Sequence, residues 1–88
     1  MDRQRRSLPH GVSENTFSGK VLQVLWNHAG EFVEVEVLLT EIGVEVTPIN
    51  KKRVRSAVVV LRRHGDFVET RVSEDSSGKV AHRLKRPI

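Results

Sequence analysis

The sequence contains no cysteine and one tryptophan, and only 5% of its 88 residues are aromatic. The absence of cysteine excludes a disulfide framework, a thiolate nucleophile and a cysteine-based zinc site. Few aromatic residues disfavour RNA as a partner, because RNA recognition stacks unpaired bases on aromatic rings. No window approaches the roughly 18 apolar residues of a membrane helix, and the N-terminal MDRQRRSLPHG lacks the apolar centre of a signal peptide. We therefore expect a cytoplasmic or nucleoid-associated protein with no membrane partner.

Motifs for catalysis or cofactor binding are also missing. The four histidines lie at least 18 residues apart, outside any metal-ligand spacing: His10, His28, His64 and His82. The glycines form neither a dinucleotide-binding fingerprint nor a phosphate-binding loop, and no nucleophile elbow is present. Four glutamates fit the solvated side of a helix better than an acid–base pair: Glu31, Glu34, Glu36 and Glu41. We expect no enzyme activity, no metal, no cofactor and no small-molecule ligand.

What the chain does contain is an uneven charge distribution. Hydrophobic residues make up 38% and charged residues 30%, as in an ordinary globular domain. The net charge is +4, but residues 1–47 carry −3 (four basic, seven acidic) and residues 48–88 carry +7 (eleven basic, four acidic). This asymmetry indicates a polyanionic partner for the second half.

Periodicity predicts a single domain over residues 13–86, with a flexible basic arm (residues 1–12) before it and a short C-terminal end (residues 87–88) after it. A first helix should begin between Ser13 and Ser18 and stop at Gly30. Its apolar face comprises Phe17, Val21, Val24, Leu25 and His28.

Leu22 and Trp26 form a second i, i+4 pair away from that face. One interpretation is that they cover the edge of a sheet within the domain. The other is that they contact a second copy of the chain or a protein partner. The first is favoured, because small domains usually cover their exposed aromatic residues internally.

The segment GEFVEVEVLLTEIG fits two periodicities. Its valines alternate with glutamates through Val37 as in a strand, whereas the apolar residues from Val35 onward also have helical spacing. We predict a short extended piece at residues 32–33, then a helix over residues 34–42 that stops at Gly43. A strand continuing to Val37 is the alternative, because β-branched valines weaken a helix.

The segment NKKRVRSAVVVLRRHG predicts a third helix that ends at Gly65. Its buried stripe is Val54, Ala57, Val58 and Leu61, at i, i+3, i+4 and i+7. Asn50 is the predicted N-cap, because Ile49 and Val54 would then form a hydrophobic staple. Thr47 followed by Pro48 is the competing start signal, and it would leave Ile49 near solvent.

Two alternating runs, DFVETRV and KVAHRL, flank the turn-rich SEDSSG and predict a β-hairpin. One face of the hairpin would hold Val68, Thr70, Val72, Val80, His82 and Leu84. The outward face would hold Glu69, Arg71, Lys79, Ala81 and Arg83.

The order helix, short strand, helix, helix, hairpin resembles the winged helix-turn-helix superfamily over residues 17–84. The resemblance is carried by VLQVLWNHAG, LLTEIGV and NKKRVRSAVVVLRRHGDFV. It implies an α+β fold with three helices, a short first strand and a C-terminal hairpin, the wing. It also implies that the third helix enters the DNA major groove while the wing contacts the backbone or minor groove.

The sequence departs from the superfamily pattern in two places. The connection over residues 43–50 is longer than the superfamily's turn. The wing tip, residues 73–78, contains Glu74 and Asp75, which phosphate would repel. Contacts from the flanking strands are therefore expected in place of contacts from the tip.

The third helix contains no acidic residue, so it lacks the Glu–Lys pairs that usually stabilise a solvated helix. Its last-turn cations, Arg62, Arg63 and His64, suit the negative end of the helix dipole. With Asn50 as cap, residues 51–53 would lie in the first turn, where cations cost about 0.3–1 kcal/mol each. Such a conflict indicates a functional constraint, which a DNA phosphate would relieve.

We therefore expect a small winged-helix regulator of transcription that binds double-stranded DNA. On the helix, Lys51, Lys52 and Arg53 would contact phosphates, whereas Arg55, Ser56 and Val59 would meet base edges. Additional DNA contacts would come from Arg63, Arg71, Lys79 and Arg83, and from Arg3, Arg5 and Arg6 of the arm. The alternative is a protein-interaction module on the same fold, with Leu22, Trp26, Val59 and Val60 in its docking surface.

Overall fold

The structure, a computed structural model, describes residues 11–73 and 78–85. These residues form three helices and a three-stranded antiparallel sheet, an α+β architecture. The elements follow the order α1 (Phe17–Asn27), β1 (Val33–Glu34), α2 (Val35–Ile42), α3 (Pro48–His64), β2 (Val68–Val72) and β3 (Val80–Leu84). None of the helices in the described ranges is both long enough and apolar enough to cross a membrane.

Local signals mark the start of α1 and the end of α2, whereas α1 ends at Asn27, with His28 as its C-cap, three residues before the predicted stop at Gly30. The Thr16 hydroxyl caps α1 by accepting a 2.9 Å hydrogen bond from the Gly19 N–H. Helix α2 ends at Gly43, whose φ of 96° is a left-handed conformation that glycine adopts without strain. The predicted helix over residues 34–42 is confirmed to within one residue, and the alternative strand to Val37 does not form.

The predicted cap of α3 is wrong. Thr47, not Asn50, is the N-cap: its hydroxyl accepts a 3.1 Å hydrogen bond from the Asn50 N–H, and Pro48 occupies the first helical position. The expected hydrophobic staple is absent, because Ile49 is 73% exposed. The Thr47 cap followed by Pro48 therefore stabilises the start of α3 more than burial of the Ile49 side chain would. The predicted end at Gly65 is confirmed.

The sheet has the strand order β1-β3-β2, with the hairpin formed by β2 and β3. The predicted hairpin and its shared face are confirmed, because Thr70 pairs with His82. The other two facing pairs are Val68 with Leu84 and Val72 with Val80. The prediction that Ala81 lies on a solvated face is wrong, because Ala81 is only 4% exposed. It lies in the central strand, between Glu34 of β1 and Arg71 of β2. Longer side chains on both neighbouring strands shield a small methyl group.

The core lies between the three helices and one face of the sheet. Its largest fully buried side chains come from all three helices and from β2: Leu22, Leu25, Leu38, Leu39, Leu61, Val21, Val54 and Val68. The predicted stripe of α3 is entirely buried. Val12, which we expected in the N-terminal arm, is 3% exposed and also packs in this core. Leu22 is fully buried, so only Trp26 of the predicted contact pair reaches the surface, at 39% exposure.

Candidate nucleic-acid interface

The face of α3 opposite the core is exposed as the helical periodicity predicts. We call this surface the α3 outer face; it comprises Lys52, Arg55, Ser56, Val59 and Arg63. Val59 is 45% exposed, an apolar side chain among polar neighbours. Within residues 11–73 and 78–85, the three cations of this face make no ion pair or hydrogen bond with another side chain. Their charges are therefore available to an external anion.

The other cations of α3 are held by neighbouring groups. The Lys51 ammonium lies 3.3 Å from a carboxylate oxygen of Glu36 on α2. A hydrogen bond from its own backbone N–H, and then Lys51, lower the pKa of the Glu36 carboxyl. The Arg53 guanidinium lies 4.2 Å from the centre of the Phe17 ring and donates a 3.2 Å hydrogen bond to the Asn50 side chain. These contacts leave Lys51 and Arg53 less available to a phosphate than Lys52.

The capping correction also changes the electrostatics of these three residues. With Pro48 at the first position, residues 51–53 lie in the second turn of α3. The helix dipole acts mainly within the first turn, so the expected conflict between these cations and the dipole is weaker than the sequence indicated. An anionic partner is thus indicated less by the helix dipole than by the outer-face cations, which have no protein partner among the described residues.

The hairpin places its basic residues on a different surface from α3. Thr70 and His82 face α3, whereas Arg71 and Arg83 project from the opposite side of the sheet. The Arg71 and Arg83 guanidinium groups lie 4.2 and 4.6 Å from the centre of the Phe32 ring. Arg83 also bonds the Glu69 carboxylate, with a shortest distance of 2.8 Å. The structure therefore does not bring these two arginines together with the α3 outer face.

Lys79 differs from the two arginines because it lies near the turn, beside α3. Its ammonium is 3.9 Å from a carboxylate oxygen of Glu34. It also lines a groove of about 510 Å³ between α3 and the hairpin. We call this depression the α3–hairpin groove; its walls include Arg55, Val58 and Val59 from α3, and Thr70, Val72 and His82 from the hairpin. Lys79 is thus the one predicted wing cation that the described structure brings close to Arg55.

A hydrogen-bonded chain runs along the wall of the α3–hairpin groove. Arg62 Nη2 donates a 2.7 Å hydrogen bond to Thr70 Oγ1, which lies 2.9 Å from His82 Nδ1. His82 is 4% exposed. Burial, with a smaller contribution from the Arg62 charge, lowers the pKa of His82 to about 4. The imidazole is therefore neutral at pH 7, and the groove's positive charge comes from its lysines and arginines.

Sequence reasoning missed this chain and the groove. The alternation that put Thr70 and His82 on one face of the hairpin was a usable signal for the pair. Nothing in the sequence showed that Arg62 would reach them, because that contact depends on how α3 packs against β2. From the sequence, Arg62 is explained by its position at the helix end, where it compensates the dipole.

Several predicted site residues lie outside the described part of the chain. These are Arg3, Arg5 and Arg6 of the arm and the acidic pair of the wing tip, Glu74 and Asp75.

Within the described ranges, no three histidine, aspartate or glutamate side chains are grouped as metal ligands. His28 is partly exposed and its Nε2 lies 2.8 Å from Glu41.

Comparison of the chain with protein-family models, curated proteins and solved structures finds no match.

Proposed function

We propose that the chain is a winged-helix protein that binds double-stranded DNA and regulates transcription, with α3 in the major groove. One observation carries the proposal: α3 holds six cations and no acid, and three of those cations lie on its outer face without a protein partner among the described residues. A face of this kind, with serine and valine between the cations, can meet both phosphates and base edges.

The contacts around α3 refine the role of each residue. Lys52 and Arg63 are the phosphate contacts, because they lie at the two ends of the outer face along the helix and are free of carboxylates. Arg55 and Ser56, with Val59 one turn further along, address base edges. Lys51 is a weaker contributor because it would have to leave Glu36. The element order and the three-stranded sheet are compatible with this fold.

A fluorescence-anisotropy titration with random duplex DNA tests the proposal. Two phosphate contacts, from Lys52 and Arg63, predict a slope of about −1.8 in log K against log[salt], or a loss of about 12-fold between roughly 50 and 200 mM salt. Selection from a random duplex library would then report the preferred bases and any two-fold symmetry of the site. Absence of binding at low salt would overturn the proposal.

A protein-interaction module is the second candidate function. Its support is a set of exposed apolar side chains: Trp26 at 39%, Ile49 at 73% and Val60 at 37% exposure. Single exposed apolar residues are common on protein surfaces, so this observation is weaker. If duplex DNA does not bind while sedimentation velocity reveals self-association that Trp26→Ala abolishes, the second candidate replaces the first.

A further inference from the structure

The α3–hairpin groove has a shape and a composition that DNA binding does not explain. Its volume of about 510 Å³ lies within the range of small-molecule sites, roughly 300–1,000 Å³. Its apolar lining outside the α3 outer face includes the open Val72, at 57% exposure, the partly buried Val80 and the buried Val58. A duplex backbone would not cover these valines well, because phosphates and sugars are polar. A ligand with an apolar body would.

The rim of the groove is positive. It carries four cations, Lys51, Arg55, Arg62 and Lys79, against the carboxylates of Glu36 and of Glu34, which lies 3.9 Å from Lys79, for a local charge of +2. Lys51 is paired with Glu36, and Arg62 donates to Thr70. Arg55 has no partner among residues 11–73 and 78–85. Its guanidinium is therefore the cation best able to bind a carboxylate, to which it can donate two parallel hydrogen bonds.

We propose that the α3–hairpin groove binds an amphipathic monocarboxylate, with the carboxylate on Arg55 and a compact aromatic or branched apolar body on Val72 and Val80, beside Val58. Charge complementarity selects an anion, and the valine surface selects the apolar body. The sequence contains no motif for such a site, because its walls come from segments that meet only in the fold.

Occupancy of this groove would oppose DNA binding, and that consequence rests on the proposed function. Arg55 belongs both to the groove and to the α3 outer face. A carboxylate on Arg55 would neutralise it and would put a negative charge beside the duplex. The ligand would thus act as an effector that releases DNA by direct competition.

The test uses the full chain, labelled with ¹⁵N, and 2-naphthoate as the probe, at constant ionic strength. We expect saturable amide shifts at Val58, Val72 and Val80, with a dissociation constant of about 1 mM, the value typical of a ligand of this size. The neutral isostere 2-naphthamide should bind at least about tenfold more weakly, because it cannot form charge-assisted bonds with Arg55.

Two variants separate the site from general attraction of anions to a basic protein. Arg55→Gln, at an exposed helix position, should weaken 2-naphthoate binding at least about tenfold. Lys20→Gln removes the same charge from the exposed face of α1 and should leave the affinity unchanged. Equal binding of naphthoate and naphthamide, undiminished binding by Arg55→Gln, or shifts confined to residues outside the groove would each overturn the proposal.

The effect on DNA is measured separately. 2-Naphthoate should displace a bound duplex from the wild-type chain, whereas 2-naphthamide at the same concentration should not. If no duplex binds at all, the proposed function fails, and the groove is still judged by the shift titration alone. If duplex and naphthoate bind together without competition, the effector role is overturned.

Discussion

The hydroxyl oxygen of Thr70 lies 2.9 Å from Nδ1 of His82, across the paired strands β2 and β3. The same oxygen accepts a 2.7 Å hydrogen bond from Arg62. Because arginine can only donate, the hydroxyl proton is free to satisfy the buried imidazole nitrogen. This one side chain therefore connects α3 with both hairpin strands.

Thr70→Val should lower the free energy of unfolding by about 1–3 kcal/mol, because it leaves the buried His82 nitrogen without a partner while keeping the side-chain shape. Urea denaturation at pH 7 measures the change. Thr40→Val is the matched control: its hydroxyl bonds a backbone carbonyl on an exposed helix face, and we expect a change within about 0.5 kcal/mol. Equal effects of the two substitutions would contradict the role of Thr70.

The depressed pKa of His82 predicts a loss of stability in acid. The folded-state pKa is about 4, below the ordinary 6.5, so between these values the unfolded chain binds a proton that the folded chain does not. Stability is therefore fully present above pH 6.5 and falls as pH drops towards 4, by up to about 3 kcal/mol. Urea titrations at several pH values measure this slope.

Two substitutions assign that slope to one histidine. His82→Asn keeps an acceptor for Thr70 but has no proton to gain, so the dependence between pH 6.5 and 4 should largely disappear. His64→Asn, at the exposed end of α3, should retain the pH dependence of stability. The lowered pKa of Glu36 contributes stability that is lost only as pH falls below 4.5, the ordinary pKa of a glutamate. A slope that survives His82→Asn would contradict the assignment.

Gly19→Ala should destabilise the chain, although alanine normally strengthens a helix by about 0.5–1 kcal/mol relative to glycine. A Cβ at Gly19 would overlap the carbonyl oxygen of Ser13. That oxygen already accepts a 2.9 Å hydrogen bond from the Thr16 hydroxyl, so the backbone must move. We expect a cost of about 1–3 kcal/mol in thermal or urea unfolding. The control Lys20→Ala, at the next, exposed position, should be neutral or slightly stabilising.

Lys52→Ala should weaken binding to every duplex by a similar factor and reduce the magnitude of the salt slope by about 1, as expected for loss of one phosphate contact. Fluorescence anisotropy over a series of salt concentrations measures both effects. Lys20→Ala, which removes a cation from α1, should leave the slope unchanged. An unaltered slope in Lys52→Ala would remove Lys52 from the interface.

Arg55→Ala should relax the preference at one base position of a selected site, at a cost of about 1–3 kcal/mol for the preferred base. Binding of the wild type and the variant to single-base substitutions of that site measures the change. A uniform loss over all sequences would instead make Arg55 a phosphate contact.

Local patterns determined much of this structure. Spacing within each segment predicts the buried stripe of α3, the helix over residues 35–42 and the residues that share one face of the hairpin. The exposure of the α3 outer face follows from the same periodicity. The predicted start of α3 is wrong because two N-cap candidates of similar strength, Thr47 and Asn50, lie three residues apart. A staple between Ile49 and Val54 favours Asn50, but it contributes less than the Thr47 cap.

The features that depend on distant residues could be seen only in the tertiary structure. Periodicity placed Ala81 on a solvated face, but its position in the central strand buries it. The contact of Gly19 with Ser13 and the partners of Lys51 and Arg53 arise from packing between segments. The α3–hairpin groove exists because α3 crosses the hairpin beside Thr70 and His82. Sequence spacing specifies the faces of each element, whereas the faces that meet, and the charges left without a partner, are decided by how the elements pack.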